Sequence, residues 1–265
     1  MLEILKEHHG FWRQILVMAR LDLQRAYKGT LLGSAWAVLK PLITLVMFWF
    51  VFSVGIRVDN EVQGVPRFAF MLVGFIPWFY MSDMIKGGAK CIRKNAHLVT
   101  KVAYPVSTIM TFTAVSRVYI NILLTAIMYL YLWIHGYAPS IYNVQVFYYF
   151  IMMFLFFLAL SWTTATFCAY SKDLENTIDA AMQALFWLSG VIWNIYDIEI
   201  GWLQTIMLFN PINYFVNGYR KAFLYDQWFW QTPLETGIFL FELLLVIVVG
   251  SYNYRRLRKT MSDVL

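Results

Sequence analysis

Residues 86–105 read KGGAKCIRKNAHLVTKVAYP and form the most basic stretch between the apolar segments of the chain. In a helix of 3.6 residues per turn, the basic residues share one face, and small or apolar residues occupy the other. The basic face carries Lys86, Lys90, Arg93, Lys94, His97 and Lys101. Such a helix is expected to lie flat on the cytoplasmic surface between two membrane spans. It either orients the chain through the positive-inside rule and anionic lipid, or it docks a cytoplasmic partner.

The composition predicts a helical protein with several membrane spans. Of the 265 residues, 60% are hydrophobic and 14% are charged, whereas soluble domains carry about 25% charged residues. The apolar runs are continuous over roughly 16–28 residues, which fits helices and not the short alternating segments of a β-barrel. The net charge of +6 comes from bases at the ends of these runs, so it does not indicate nucleic-acid binding.

The apolar runs predict an all-α membrane protein with six transmembrane helices in one domain, residues 1–265. The predicted spans are 34–56, 68–85, 105–134, 146–170, 177–195 and 233–254. An amphipathic interface helix over 8–28 precedes them, and 86–104 is the cytoplasmic coupling loop. Residues 197–231 are interrupted at Asn210–Pro211, which predicts an extracellular re-entrant region of short helices at the outer leaflet, before the last span.

The distribution of Lys and Arg places both termini in the cytoplasm. On this topology the outer side carries Arg57, Arg67, Arg220 and Lys221, and Arg117 lies within the membrane. The inner side carries Lys6, Arg13, Arg20, Arg25, Lys28, Lys40, the bases of 86–101, Lys172, Arg255, Arg256, Arg258 and Lys259. Cys91 and Cys168 fall at cytoplasmic ends of spans, where thiols stay reduced, so no disulfide is expected.

The sequence predicts no catalytic and no metal site. Its histidines are scattered over interfaces and loops without the spacing of metal ligands. It has no GxSxG, HExxH or GxxxxGK[ST] motif, so energy from ATP would have to come from another polypeptide. A membrane enzyme acting on lipid-linked sugars is disfavoured because no acidic or His cluster marks an interface. A secondary transporter is disfavoured by the scarcity of charge inside the spans.

Two ionisable residues lie deep in predicted spans, Arg117 and Glu242. Each is roughly twelve residues from its cytoplasmic end, so both lie about 18 Å deep at a rise of 1.5 Å per residue. Equal depth and opposite charge predict an intramembrane ion pair between spans three and six. Asp179 is a competing partner for Arg117, and a charge on the translocation path is the functional alternative.

The segment 197–231 combines amides and aromatic side chains near the outer leaflet. Its aromatic residues fit the belt at a membrane surface, which explains most of them. The alternative is an outer gate for a hydroxyl-rich substrate, because aromatic faces and amides suit sugar rings. The predicted gate residues are Asn210, Pro211, Tyr214, Asn217, Tyr219 and Arg220.

Several motifs along the chain, taken together, resemble the ABC-2 permeases that export polysaccharides. They are YKGTLLGSAW at 27–36, Lys40-Pro41, FVFS at 50–53, GFIPWF at 74–79, KVAYP at 101–105, Asn210-Pro211 and NGYR at 217–220. These motifs follow the family's order across essentially the whole chain. Within that family, the chain is most similar to the teichoic acid branch. O-antigen or capsule export and drug export are the alternatives.

The resemblance implies a homodimer in the bacterial cytoplasmic membrane, with two separate ATPase subunits that bind ATP and Mg²⁺. This chain itself would hold no cofactor. The substrate would be a polymer on a polyprenyl diphosphate lipid, passing between the two permeases. Spans one, two and five would line its path. The path residues implied in this way are Trp36, Lys40, Phe48, Phe50, Phe79, Phe186, Trp187 and Trp193.

The resemblance also places the interface helix and the basic loop against the ATPase. The implied coupling residues are Arg13, Arg20, Lys28, Lys86, Lys90, Arg93, Lys94, His97 and Lys101. Lys40 departs from the family, whose members often have a small polar residue there. It either meets the lipid diphosphate or extends its amine back to the cytoplasmic surface.

Overall fold

The computed structural model describes residues 4, 7–55, 61–102, 104–197 and 199–263. These ranges contain ten helices and one short β-hairpin, β1 (Glu61–Val62) and β2 (Val65–Pro66). The helices are α1 (Trp12–Ala26), α2 (Trp36–Phe50), α3 (Arg67–Lys94), α4 (Ala96–Lys101), α5 (Val106–Ile134), α6 (Gln145–Tyr170), α7 (Lys172–Leu188), α8 (Gly201–Leu208), α9 (Pro211–Phe223) and α10 (Pro233–Leu257). The predicted all-α class is confirmed. The predicted end of span one at Ile56 and the bases Lys6 and Arg57 lie outside the described residues.

Five helical segments are long and apolar enough to cross a membrane. They are Gly33–Gly55, Arg67–Lys94, Val106–Ile134, Ile141–Tyr170 and Pro233–Leu257. The first includes α2 and a π-helical turn at its end, and the fourth includes a 3-10 turn before α6. The counterpart of the predicted span 177–195 is α7, with 17 residues. It ends at Leu188 because Gly190 adopts a left-handed φ of 63° and turns the chain.

The second span continues well past its predicted end at Ile85. Helix α3 runs unbroken to Lys94, so residues 86–94 of the predicted coupling segment 86–104 are the last part of a membrane helix. Only α4 stands as a separate short helix. Gly87 and Gly88 lie inside α3 where neighbouring helices approach it. A Cβ on Gly87 would lie 3.2 Å from Arg117 Nη2, a tight contact that this flexible side chain can relieve. A Cβ on Gly88 would lie 2.9 Å from that of Ser161.

Helix α3 lies at the centre of the bundle. It packs against α5, α6, α7 and α9, while α10 packs on α6 and α9, and α1 packs on α5. Helix α2 lies at the edge, where it buries Ala37 and Leu45. We call the end of the bundle that carries Lys90, Arg93 and Lys94 the basic end. The β-hairpin lies at the opposite end.

Candidate functional site

An aromatic cluster joins α2, α3 and α7. The ring of Phe48 lies 5.2 Å from Phe186 and 6.1 Å from Trp187, measured between centroids. The ring of Phe75 lies 5.3 Å from Phe48 and 5.4 Å from Phe79. Tilted and edge-on ring pairs at such distances are each worth about 0.5–1.5 kcal/mol beyond the burial of area. We call these five residues the aromatic wall.

The structure brings together some of the predicted path residues and separates others. Phe48, Phe79, Phe186 and Trp187 belong to the aromatic wall, and the indole N–H of Trp193 donates to the carbonyl oxygen of Trp187 at 2.8 Å. The others lie elsewhere on α2. Trp36 and Lys40 precede Phe48 by at least two helical turns, about 12 Å along the axis. Phe50 lies on another face and is 56% exposed.

The sequence analysis missed Phe75, which is completely buried in the middle of the wall. It lies one helical turn before Phe79 in the GFIPWF motif, so its spacing places both rings on one face of α3. The four-residue spacing of Phe75 and Phe79 in the sequence could have identified Phe75 as a member of the wall.

Ion pairs tie the basic end to two other helices. Lys90 pairs with Asp179 of α7, and Arg93 Nε lies 3.3 Å from Glu175 Oε1 of the same helix. Arg93 Nη2 also donates to the carbonyl oxygen of Cys168 at 2.7 Å. Both side chains of the Lys90–Asp179 pair are 40% exposed, so that pair adds little stability. Arg93 therefore links α3 to α6 and α7, and the charges of both bases are already partly paired within the chain and not fully available to a docking partner.

Asp22 of α1 is the most buried member of this charged network. Its carboxylate accepts from Lys94 Nζ at 2.7 Å and from Ser116 Oγ at 3.0 Å. Arg117 Nη1 of α5 lies 3.6 Å away. Burial raises the pKa of Asp22, but the hydrogen bond from Lys94 and the charges of Arg117 and Lys94 outweigh it. The pKa therefore lies below its ordinary value. We call Asp22, Lys94, Ser116 and Arg117 the Asp22 clasp.

The remaining predicted coupling residues have accessible side chains. Arg13, Arg20 and Lys28 on and after α1 are exposed, as are His97 and Lys101 on α4, while Lys86 is half-buried. A second tie at the basic end involves Glu7, which the sequence analysis did not single out. Glu7 accepts from Ser107 Oγ and from Tyr254 Oη, and it pairs with Arg258.

The predicted ion pair between Arg117 and Glu242 is wrong. Arg117 pairs with Asp22 on α1 instead, and the competing candidate Asp179 pairs with Lys90. Helix α10, which carries Glu242, packs on α6 and α9 rather than on α5. Equal depth did not identify the partner because it says nothing about which helices are neighbours.

The predicted gate residues belong to a buried helix. Asn210 caps α9, since its Oδ1 accepts from Ile212 N at 3.0 Å, and Pro211 occupies the first turn. Tyr214 stacks on Phe239 with centroids 4.4 Å apart, and Tyr219 is completely buried. The break at Asn210–Pro211 was therefore predicted correctly, but these tyrosines pack inside the bundle.

Arg220, which is 2% exposed, fixes the turn that ends α7. Its Nη1 donates to Gly190 O at 2.8 Å and its Nη2 donates to Val191 O at 2.6 Å. The guanidinium also lies 3.6 Å from the ring centroid of Phe70. Gly74 makes room for this contact, because a Cβ there would lie 2.6 Å from Val191 O and 2.7 Å from Arg220 Nη2. Two motifs of the sequence, GFIPWF and NGYR, thus meet at one point.

The described residues contain no group of three His, Cys, Asp or Glu side chains able to hold a metal ion. The helices form a bundle of apolar spans, with the aromatic wall on one side and ion-paired helices at the basic end.

Three known proteins that are similar to this chain share one name. An O-antigen export system permease protein, RfbA, from Myxococcus xanthus is 24% identical over 84% of this chain and 85% of the relative. A protein of the same name from Klebsiella pneumoniae is 20% identical over 95% of this chain and 94% of the relative. A second one from that organism is 18% identical over the same shares. The model of the family described as ABC-2 type transporter matches residues 13–224, which is most of the chain. This protein belongs to the ABC-2 type transporter family.

Proposed function

We propose that this chain is the permease subunit of an exporter for an O-antigen-type polysaccharide. The observation that carries the proposal is the similarity, over 84% to 95% of the chain, to three proteins named as O-antigen export permeases. That observation favours the alternative raised by the sequence over its first choice, teichoic acid. As a permease of an ABC transporter, the chain works with separate ATPase subunits, and these bind the ATP.

In this proposal the basic end faces the cytoplasm, as the positive-inside rule requires. Two copies of the chain face each other across α2 and the aromatic wall. The support for this arrangement is the position of α2, which buries Ala37 and Leu45 and leaves its other faces accessible. Lipid covers one side of such a helix, and the second copy and the polymer cover the other. The polymer travels on a polyprenyl diphosphate lipid.

Closure of the ATPases moves α1 and the end of α3 as one rigid unit. The Asp22 clasp supports this mechanism because it joins α1, α3 and α5 by short charged contacts. Motion of that unit shifts α3, and the aromatic wall shifts with it, because Phe75 and Phe79 lie on α3. Rigid helices repacking at an interface are a common form of such switching.

Reconstitution tests the proposed function. The full chain and its ATPase are placed in lipid vesicles, and ATP hydrolysis is measured with three added substrates. These are polyprenyl-diphosphate-linked O-antigen, lipid-linked teichoic acid and an amphipathic drug. We expect O-antigen to stimulate hydrolysis most. Stimulation by teichoic acid alone would restore the first choice of the sequence, and stimulation by the drug alone would refute polysaccharide export.

A double variant, in which the charges of two exposed bases are reversed, tests the coupling mechanism in the same vesicles. Reversal of the exposed residues Arg20 and Lys101 is expected to abolish stimulation without changing the melting temperature, because neither lies in the clasp. Unchanged stimulation in this variant would show that α1 and α4 do not meet the ATPase.

A further inference from the structure

A polar cavity of about 320 Å³ lies at the end of the bundle opposite the basic end. The hairpin residue Gln63, the turn around Asn194, the last residues of α9 and the first of α10 enclose it. We call it the outer pocket. It is separate from the aromatic wall, and its side chains are amides, hydroxyls and charged groups. Its size is at the lower end of the roughly 300–1,000 Å³ that ligand pockets span.

The charged groups in and beside the outer pocket balance. Lys221 Nζ lies 2.6 Å from Glu235 Oε2, and the phenol of Tyr196 donates to Glu235 Oε1 at 2.6 Å. Asp197 accepts from Asn194 Nδ2 at 3.0 Å and from Gln63 Nε2 at 3.2 Å. With the guanidinium of Arg220, two bases stand against two acids. A ligand with no net charge disturbs this balance least.

Two of the side chains that line the outer pocket each carry a buried polar atom without a hydrogen-bond partner, namely Arg220 Nε and Tyr225 Oη. The other nitrogens of Arg220 are bound to carbonyl groups, and the side chain is almost completely buried. A buried donor without a partner costs about 1–3 kcal/mol. Arg220 lines the cavity, and its Nε–H donates no hydrogen bond. This free donor points to a ligand with oxygen acceptors.

We propose that the outer pocket binds one neutral, hydroxyl-rich sugar residue of the exported chain, an inference that rests on the proposed function. Sugar hydroxyls accept from Arg220 Nε, and they donate to or accept from Tyr225 Oη. The second lone pairs of the Glu235 carboxylate accept further hydroxyl protons. The rings of Tyr196 and Tyr225 supply apolar faces against the C–H side of the sugar. The pocket thus holds the polymer on the far side of the membrane after it leaves the path.

Ligand-detected NMR tests this site on the full chain with its ATPase in lipid nanodiscs. The neutral probes are the methyl glycosides of glucose, galactose, mannose and N-acetylglucosamine, and the charged probes are glucuronate and inorganic phosphate. We expect at least one neutral glycoside to bind and neither charged probe to do so. Tyr225→Phe removes only the hydroxyl without a partner, so it should weaken binding about tenfold and leave the melting temperature unchanged.

The matched control is Tyr142→Phe, since the ring of Tyr142 packs at a tilt against Trp228 outside the pocket, with centroids 5.1 Å apart. It should bind the glycoside as the parent chain does. The second pocket variant is Gln63→Ala at the exposed tip of the hairpin. It removes the hydrogen bond from Gln63 to Asp197 and should also weaken binding. Equal binding by the parent chain and both pocket variants, or a preference for either charged probe, would overturn the assignment.

The ATP hydrolysis and glycoside-binding experiments together distinguish a failure of the outer-pocket proposal from a failure of the export proposal. ATP hydrolysis stimulated by O-antigen together with no glycoside binding overturns the outer pocket alone. Glycoside binding that Tyr225→Phe weakens, together with no stimulation by any polysaccharide, supports the pocket and overturns the export proposal.

Discussion

The first two membrane helices, α2 and α3, differ most in how much the protein covers them. The segment containing α2 is the more apolar of the two by mean hydropathy. Nevertheless, α2 buries Ala37 and Leu45, whereas α3 is buried on nearly all sides between Ala69 and Ile92. The more apolar helix is therefore the less buried one. In a bilayer, lipid tails cover apolar side chains as well as protein does, so hydropathy does not determine which helix is central.

Small residues account for the central position of α3. At Gly74 and Gly88 an added Cβ would lie 2.6 Å from Val191 O and 2.9 Å from Ser161 Cβ, which leaves no room for a side chain. Gly87 has a looser contact with the flexible side chain of Arg117. Close approach of backbones strengthens van der Waals packing, which is one of the forces that associate helices in membranes, where no hydrophobic effect acts between helices. The described part of α2 has no comparable contact, and this leaves its surface available to another molecule. Four experiments sharpen or break this contrast.

The largest effect is expected for Gly74→Leu on α3. A side chain there collides with Val191 O and Arg220 Nη2 and breaks the turn after α7. We expect a loss of about 3 kcal/mol or failure to fold, measured by thermal unfolding in detergent. Gly237→Ala on α10 is the control, because nothing lies within 4 Å of its added Cβ. It should be neutral or slightly stabilising. A fully stable Gly74→Leu variant would refute the packing explanation.

Charge reversal in the Asp22 clasp should have the next largest effect. Lys94→Glu places a second negative charge beside Asp22, which is only 5% exposed. We expect a loss of about 2 kcal/mol, less than for a fully buried pair because Lys94 is 48% exposed. Lys101→Glu, an exposed reversal on α4, should leave the melting temperature unchanged. Equal melting temperatures for both variants would mean that the clasp does not anchor α1.

The pH dependence of stability should show a smaller contribution from the same clasp. The pKa of Asp22 is lowered in the folded protein, so its stabilisation is complete above the ordinary value of 3.8. The stabilisation is lost as pH falls through the lowered pKa. Melting temperatures at about pH 6 and about pH 3 should differ more for the parent chain than for Asp22→Asn. An identical difference in both would show that this carboxylate does not contribute.

The smallest effect on folding is expected on α2. Phe50→Cys replaces a side chain that is 56% exposed, so the melting temperature of the chain should change little. If α2 faces a second copy, mild oxidation should join two such chains by a disulfide. The control is the parent chain without the new cysteine, which should form no such disulfide because Cys91 and Cys168 are both buried. The absence of a covalent dimer, tested also for Met47→Cys on the same face, would place the second copy elsewhere.

Sequence analysis identified most helices because each signal is local. The apolar runs, the break at Asn210–Pro211 and the amphipathic pattern of 8–28 depend only on neighbouring residues. The limits of α3 and α7 were misjudged because tertiary contacts set them. The basic residues after Ile85 were interpreted as a separate helix lying flat on the membrane surface, but those up to Lys94 extend α3 and pair with acids of α1 and α7. Phe48, Phe79, Phe186 and Trp187 were placed on the path through a family resemblance, and the structure brings them together around Phe75.

The amino-acid sequence was enough to identify a helical membrane protein, to locate most of its long apolar helices and to recognise the family that it resembles. These properties follow from hydropathy and from short motifs, which act along the chain. The packing of the helices was needed to establish that Arg117 pairs with Asp22 and not with Glu242, and that Arg220 fits against Gly74. Such contacts join residues that are distant in sequence, and charge and depth are equally compatible with several partners. The close approach of particular helices, permitted by glycine, selects one of them.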